Sequence, residues 1–200
     1  PGQFIILRVD ADGERIPLTI SAYDREKGTI TIVVQEVGAT TMKLGQMNEG
    51  DCLHDFVGPL GKASEFDGIK KAAVVGGGLG CAIALPQAQK LHDMGVDVDL
   101  IAGFRNTDAI ILEDEMKGAC SRLTLVTDDG SNGHKGFVTD ALTDVLKTSK
   151  PDIIYACGPD VMLRGICRIA AENGVRCQVS LEERMGCGVG ACLVCACRTI

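Results

Sequence analysis

The sequence predicts a small antiparallel β-barrel, then a five-stranded parallel α/β domain, then a short cysteine-rich loop. Three observations predict it. Short β-branched runs separated by turns fill residues 1–66, apolar strands alternate with helical stretches over 67–179, and four cysteines crowd into 180–200 among glycines and alanines.

In the first segment, "QFIILRVD", "RIPLTISAY", "GTITIVVQEV" and "DCLHDFVGPL" are rich in Ile, Val, Leu and Thr. Turn signals at Asp12-Gly13, Lys27-Gly28 and Glu49-Gly50 separate them, which is the pattern of a small antiparallel barrel. The opening "PGQFIILRVD" reads as the middle of a fold, so residues are expected to be missing at the start as well as the end.

The pattern changes after Gly68. "KKAAVVGGG" reads as a buried strand, and "ALPQAQKLHDMG" as a helix with Pro86 in its first turn. "VDVDLIAGF", "RLTLVTDDG", "PDIIYACGP" and "RCQVSL" supply four more strands. "DAIILEDEMKGA", "FVTDALTDVLKTS" and "DVMLRGICRIAAENG" supply the helices between them. Strands alternating with helices of this length build a parallel sheet.

Composition narrows the function. A net charge of -7 argues against nucleic acid, whose phosphates want a basic face, and two Tyr with no Trp offer little base stacking. There is no apolar run long enough to span a membrane, and with no charged segment followed by an apolar stretch at the opening, no secretory leader is expected. Six of the ten cysteines are scattered singly, mostly in apolar surroundings, which suits a reducing, cytoplasmic setting.

Four stretches can carry chemistry. Gly76, Gly77, Gly78 and Gly80 lie between a strand and a helix, where a backbone free of side chains can approach a pyrophosphate. Their spacing is not G-x-G-x-x-G, and a purely structural glycine turn is the alternative. Cys157-Gly158-Pro159 also ends a strand, so it is expected to face the same crevice. In "GERIPLTI", Arg15 is either a solvated surface cation or the partner of a phosphate. Cys187, Cys192 and Cys195 have the spacing C-x4-C-x2-C of a plant-type iron–sulfur run, and the small residues around them allow amides to turn toward sulfur. Zinc and redox thiols are the alternatives, though zinc more naturally shows two C-x2-C pairs.

Together these residues resemble the flavin- and iron–sulfur-containing electron-transfer subunits built on the ferredoxin–NADP reductase plan. "GERIPLTI", "QEVGATTMKL", "VGPLGKASE", "ILEDEM" and "TDDGSNGHKGFVTD" are similar to the small subunit of NADH-dependent ferredoxin:NADP oxidoreductase. "YACGPDVML" and "QVSLEERMGCGVGACLVCACRT" resemble the electron-transfer subunit of dihydroorotate dehydrogenase B. The resemblance spans nearly the whole chain.

The resemblance implies three cofactors: FAD, NAD(H) or NADP(H), and a [2Fe–2S] cluster. It places Arg15, Pro17, Leu18 and Thr19 on the flavin-binding strand, with Arg15 at the FAD pyrophosphate and Thr19 near the isoalloxazine. Gly38, Thr40 and Thr41 match the second FAD phosphate segment. Gly76 to Gly80 match the pyridine-nucleotide loop, Cys157, Gly158 and Pro159 the nicotinamide side, and Gly103 and Arg105 the adenosine ribose. Electrons would pass from NAD(P)H through the cofactors to a larger flavoprotein or iron–sulfur oxidoreductase subunit in a hetero-oligomer, without an acid–base side chain. A regulatory or assembly protein that kept the fold and lost its cofactors is the reading from another class. The fourth cluster cysteine is expected beyond Ile200. Cys197 sits two residues past Cys195, ~6–7 Å away along an extended strand, and is expected to be a substitute at best.

Overall fold

The computed structural model describes residues 1–198, which divide into two compact units: 1–64 together with the segment from 182 onward, and 65–181. In chain order the first unit holds β1 (Phe4–Arg8), β2 (Ile16–Thr19), β3 (Ala22–Asp24), β4 (Thr29–Thr31), α1 (Ala39–Gly45) and β5 (Asp55–Leu60). β1 is central, with β2 and β5 antiparallel on either side, and β3 and β4 form a separate hairpin. The apolar run Ile5-Ile6-Leu7 makes β1 the buried strand, and Arg8 ties it to β5 through Asp55 at 2.7 Å. Pro17 lies on β2, an edge strand, where its missing N–H is tolerated.

The antiparallel class holds, but one predicted strand is shorter than expected. "GTITIVVQEV" is strand only over Thr29–Thr31, because its partner β3 begins at Ala22 and offers nothing to pair with beyond Thr31. The chain then enters α1, a helix the residue pattern did not predict. The Thr41 hydroxyl starts it by accepting the amides of Val37 and Gly38 at 3.1 and 3.0 Å.

The second unit runs β6 (Lys71–Gly77), α2 (Gly80–Asp93), β7 (Asp97–Phe104), α3 (Glu113–Gly118), β8 (Arg122–Thr127), α4 (Val138–Thr148), β9 (Ile153–Cys157), α5 (Asp160–Glu172) and β10 (Arg176–Ser180). The five strands are parallel in the order β10-β9-β6-β7-β8. Alternate side chains of β6 serve two cores: Ala72 and Val74 pack with α2 residues, Ala73 and Val75 with α4 and α5 residues. Burial on both faces is why these strands read as continuous apolar runs. α2 starts at Gly80, directly from the glycine turn, so Pro86 stands in its second turn rather than its first. "DAIILEDEMKGA" is also not one helix. A 3₁₀ turn over Thr107–Ala109 and α3 are separated by Leu112 in the left-handed region, φ 57°. Among the described residues, no helix is long and apolar enough to cross a membrane.

Three carboxylates at the amino ends of the strands hold the second unit together. Asp99 is buried (2% exposed side chain) and takes Arg122 at 2.5 Å and the Ser149 hydroxyl at 3.3 Å, joining β7, β8 and the end of α4. Asp97 pairs with Lys71 at 2.7 Å. Asp152 accepts the amides of Lys70 and Lys71 at 2.8 and 3.0 Å, and these bonds hold its carboxyl below the ordinary Asp value.

Removing Arg122 as Met leaves Asp99 a buried, unbalanced charge. It is expected to cost ~2–3 kcal/mol, less than the ~3–5 of a fully enclosed pair because water reaches Arg122. Asp99→Leu combined with Arg122→Met should recover most of that loss in urea denaturation; an equal loss in both variants would locate the effect in packing instead. Asp152 supplies an acid-side test. A depressed folded pKa gives stability that is present above the unfolded carboxyl value and lost as pH falls through the folded one. Stability measured between about pH 5 and 2 should therefore fall less steeply in Asp152→Asn than in the parent.

Candidate functional site

The carboxyl ends of β6, β7 and β9 bring most of the predicted nucleotide residues together. Gly76 is in register with Ala102 and Cys157, and Gly77 with Gly103. The Gly78 amide donates to the Gly103 carbonyl at 2.8 Å, while Gly78 itself turns left-handed at φ 55° into α2. β7 and β8 follow β6 on one side of the sheet, whereas β9 and β10 lie on the other. The gap between β6 and β9 is thus the switch point where an open α/β sheet binds ligands.

Close packing explains the glycines there. A Cβ on Gly80 would collide with the Cys157 carbonyl and would stand 2.8 Å from the Gly158 nitrogen. A Cβ on Gly77 would meet the Met162 sulfur at 2.5 Å and Pro159 at 3.2 Å, and one on Gly76 would meet Cys81 at 2.7 Å. The β6–α2 turn and the Cys157-Gly158-Pro159 turn therefore lie backbone on backbone. α2 has no side-chain cap and no acidic residue in its first turn. In α5 the first-turn acid, Asp160, is paired with Arg164 at 2.7 Å. The start of α2 is accordingly the end whose amides and dipole suit an anion. Burial pushes the Cys81 thiol up to about 12, so it stays neutral beside this turn.

Arg105 follows β7, exposed, and pairs with no carboxylate among the described residues. Its carbonyl accepts the Asp129 amide at 3.4 Å, and Ser131 takes the amide of Thr107 at 2.8 Å, so the loop after β8 is laced to the loop after β7. The sequence motif missed this lacing, although Asp, Ser, Asn and Gly in "TDDGSNG" are the residues that build such turns. It also missed Met162, which fills the space under Gly77 and Gly158. A groove of about 560 Å³ between β8 and α4, lined by Arg122, Lys135, Phe137 and Asp144 among others, contains none of the predicted site residues.

In the first unit, Arg15 stands exposed just ahead of β2, with no ion pair among the described residues, and Pro17, Leu18 and Thr19 lie half-buried in β2. Gly38 precedes α1, Thr40 is buried, and the Thr41 hydroxyl is already engaged in capping. Thr41 thus shapes the turn rather than offering its oxygen.

The cysteine segment folds around one sulfur. Cys187 Sγ accepts the amides of Val189, Ala191 and Cys192 at 3.4, 3.2 and 3.4 Å. The Cys192 and Val189 amides and the Cys192 thiol lower its pKa to about 6. Gly188 (φ 72°) and Gly190 (φ 79°) aim these amides inward, and a Cβ on Gly188 would strike Ile6 at 2.5 Å. The Ala196 amide closes a turn onto the Leu193 carbonyl at 3.2 Å, and Cys195 lies within that turn. Among the described residues, no three His, Cys, Asp or Glu side chains gather round a metal-sized centre. Cys187 and Cys192 interact through their side chains. Cys197 instead lies 3.5 Å from Glu183 and 3.6 Å from the Cys195 carbonyl. The expected fourth ligand lies outside the described residues. A sulfur held by three amides is the donor environment an iron–sulfur ligand uses, and Cys187 fits that role.

Known proteins resemble the chain over nearly its full length. Residues 74–168 match the oxidoreductase NAD-binding domain family. The dihydroorotate dehydrogenase B (NAD(+)) electron transfer subunit homolog of Thermotoga maritima is 43% identical, covering 98% of this chain and 69% of its own length. The corresponding electron transfer subunit of Caldanaerobacter subterraneus is 37% identical, covering 99% and 76%. A chain of the NADH-dependent reduced ferredoxin-NADP oxidoreductase structure superposes with a TM-score of 0.89 at 40% identity, covering 98% of this chain and 70% of that one.

Two substitutions separate the causes at the glycine turn. Gly80→Ala puts a methyl into the Cys157 carbonyl, and is expected to cost ~1–3 kcal/mol and weaken dinucleotide binding. Gly78→Ala meets no neighbour and pays only for its left-handed backbone, ~1–2 kcal/mol. Thermal unfolding and NADH titration of both variants check this; unimpaired binding by Gly80→Ala would remove the turn from the site.

Proposed function

The chain belongs to the family of dihydroorotate dehydrogenase B electron transfer subunits and their homologues, and on that footing we propose that it is a redox subunit passing electrons from NAD(P)H, through FAD and a [2Fe–2S] centre, to a larger partner subunit. The observation that carries this reading is the Cys187 sulfur, held by three amides in a chain that also has a nucleotide-type switch point. The relatives' names, NAD(+) in one and NADH-dependent in the other, support NAD(H) as the dinucleotide.

When bound, the flavin and cluster would supply the conversion of a two-electron hydride into single electrons. The chain's own residues bind and orient. Arg15 would neutralise the flavin pyrophosphate, with Pro17, Leu18 and Thr19 presenting the strand edge beside it and the Gly38–Thr41 turn the second phosphate segment. The α2 amides would hold the dinucleotide pyrophosphate, and Gly76 to Gly80 keep side chains out of its way. Gly103 and Arg105 would take the adenosine ribose, while Cys157, Gly158 and Pro159 flank the nicotinamide. Cys187, Cys192 and Cys195 would ligate iron. Ten thiols without a disulfide among the described residues support a reducing, cytoplasmic setting.

The partner has two readings. The oxidoreductase structure supports a large ferredoxin-reducing flavoprotein. The curated relatives support a dihydroorotate-oxidising subunit of pyrimidine synthesis. Co-purification with one or the other separates them.

Anaerobic incubation with FAD, iron and sulfide should give a yellow-brown protein whose visible bands bleach with dithionite. Arg15→Ala should retain FAD ~10–100-fold less tightly, the loss of one charge-assisted hydrogen bond, with the iron–sulfur bands unchanged. A colourless product would sink the reading.

A further inference from the structure

We propose that Cys167 and Cys177 are a modification site: a dithiol on the outer edge of the parallel sheet that closes to a disulfide by exchange with small-molecule disulfides. It is independent of the cofactor assignment, since neither residue belongs to the nucleotide, flavin or cysteine-loop segments.

The fold places the two sulfurs together. Cys177 is the second residue of β10, the edge strand, in register with Ile154 of β9. It packs against the core under α5 that contains Ile166 and Ala170. Cys167 follows Ile166 on α5 and is exposed. The chain reverses between them through Gly174 (φ 63°), and the reversal is fixed by bonds of Asn173 N to Ile169 O at 3.1 Å and Val175 N to Ala170 O at 2.9 Å. Cys177 also meets Cys167 directly, its thiol donating toward the Cys167 sulfur. Cys52 stands exposed with no such thiol partner, and Cys120 is buried with its thiol on the Met116 carbonyl at 3.1 Å.

The two thiols differ in a way that assigns roles. Burial pushes Cys177 up to about 12, with Cys167 adding to the rise, so Cys177 keeps its proton. Cys167, exposed and accepting that proton's hydrogen bond, is the sulfur that meets an incoming disulfide. Its thiolate attacks one sulfur of RS–SR, forming Cys167–S–SR and expelling RS⁻, which takes up the proton Cys167 gave to solvent. The Cys177 sulfur then attacks the Cys167 sulfur of the mixed disulfide, giving its proton to solvent, and displaces the second RS⁻, which takes up a proton as RSH. The sum is two protein thiols plus RSSR giving one protein disulfide plus two RSH; the protein is oxidised by two electrons and the small disulfide reduced.

The test uses the full chain, purified anaerobically, incubated with glutathione disulfide, blocked with iodoacetamide and digested with trypsin. Cleavage after Arg164, Arg168, Arg176 and Arg184 puts the two cysteines on separate peptides, 165–168 and 177–184. The expected product is these two peptides joined, and separated again by dithiothreitol. Cys177→Ser should instead accumulate Cys167 carrying glutathione. Glutathione on Cys167 of the parent chain without the joined peptides, or alkylation of both cysteines, would overturn the proposal.

Discussion

The backbone of Gly80 lies so close to the Cys157 carbonyl that no side chain fits between them. That contact fixes the turn after β6 against the turn after β9, at the place where the order of the strands reverses. Around it the rest of the site is determined. Gly77 and Gly158 leave room for Met162, Gly78 turns left-handed so that its amide reaches the Gly103 carbonyl, and α2 begins with its first-turn amides uncapped. A larger residue at Gly77, Gly80 or Gly158 would separate the turns, and the helix start would no longer face the crevice.

Charge is distributed along the same axis. At the amino ends of the strands, Asp97, Asp99 and Asp152 are consumed in bonds to Lys71, Arg122, Ser149 and the amides of Lys70 and Lys71. At the carboxyl ends, Asp129 is held by Ser131 and Asp160 by Arg164, while Arg105 carries no ion pair among the described residues. One end of the sheet thus spends its carboxylates on cohesion. The other leaves the first-turn amides of α2 without a side-chain cap and Arg105 without an ion pair among the described residues, the features on which the proposed dinucleotide site rests.

How much of this the sequence disclosed depends on whether local or distant partners decide. The parallel strands were legible because burial on both faces leaves continuous apolar runs such as "AAVV". The glycine turn was legible as a tight strand-to-helix turn, but not the Gly80–Cys157 contact, which joins residues far apart in the chain. "GTITIVVQEV" misled because strand propensity persists past Thr31 and the partner strand does not. α1 escaped because the Thr41 cap acts backward on Val37 and Gly38, with no Ser, Asp or Asn at the cap position to announce it.

The cysteine segment joins both kinds of information. Its spacing is local and readable, but the shape that gives the spacing meaning is set by a strand at the other end of the chain. Gly188 must be glycine twice over: its φ is left-handed, and Ile6 of β1 occupies the space a Cβ would need. Ile6 is itself buried as part of the run that centres the antiparallel sheet. The apolar strand that organises the first unit is therefore also the surface against which the amides of Val189, Ala191 and Cys192 are turned toward the Cys187 sulfur. Stabilising a thiolate there needs no cation from the protein: three backbone dipoles converge on it, and their direction is enforced by packing on a hydrophobic side chain.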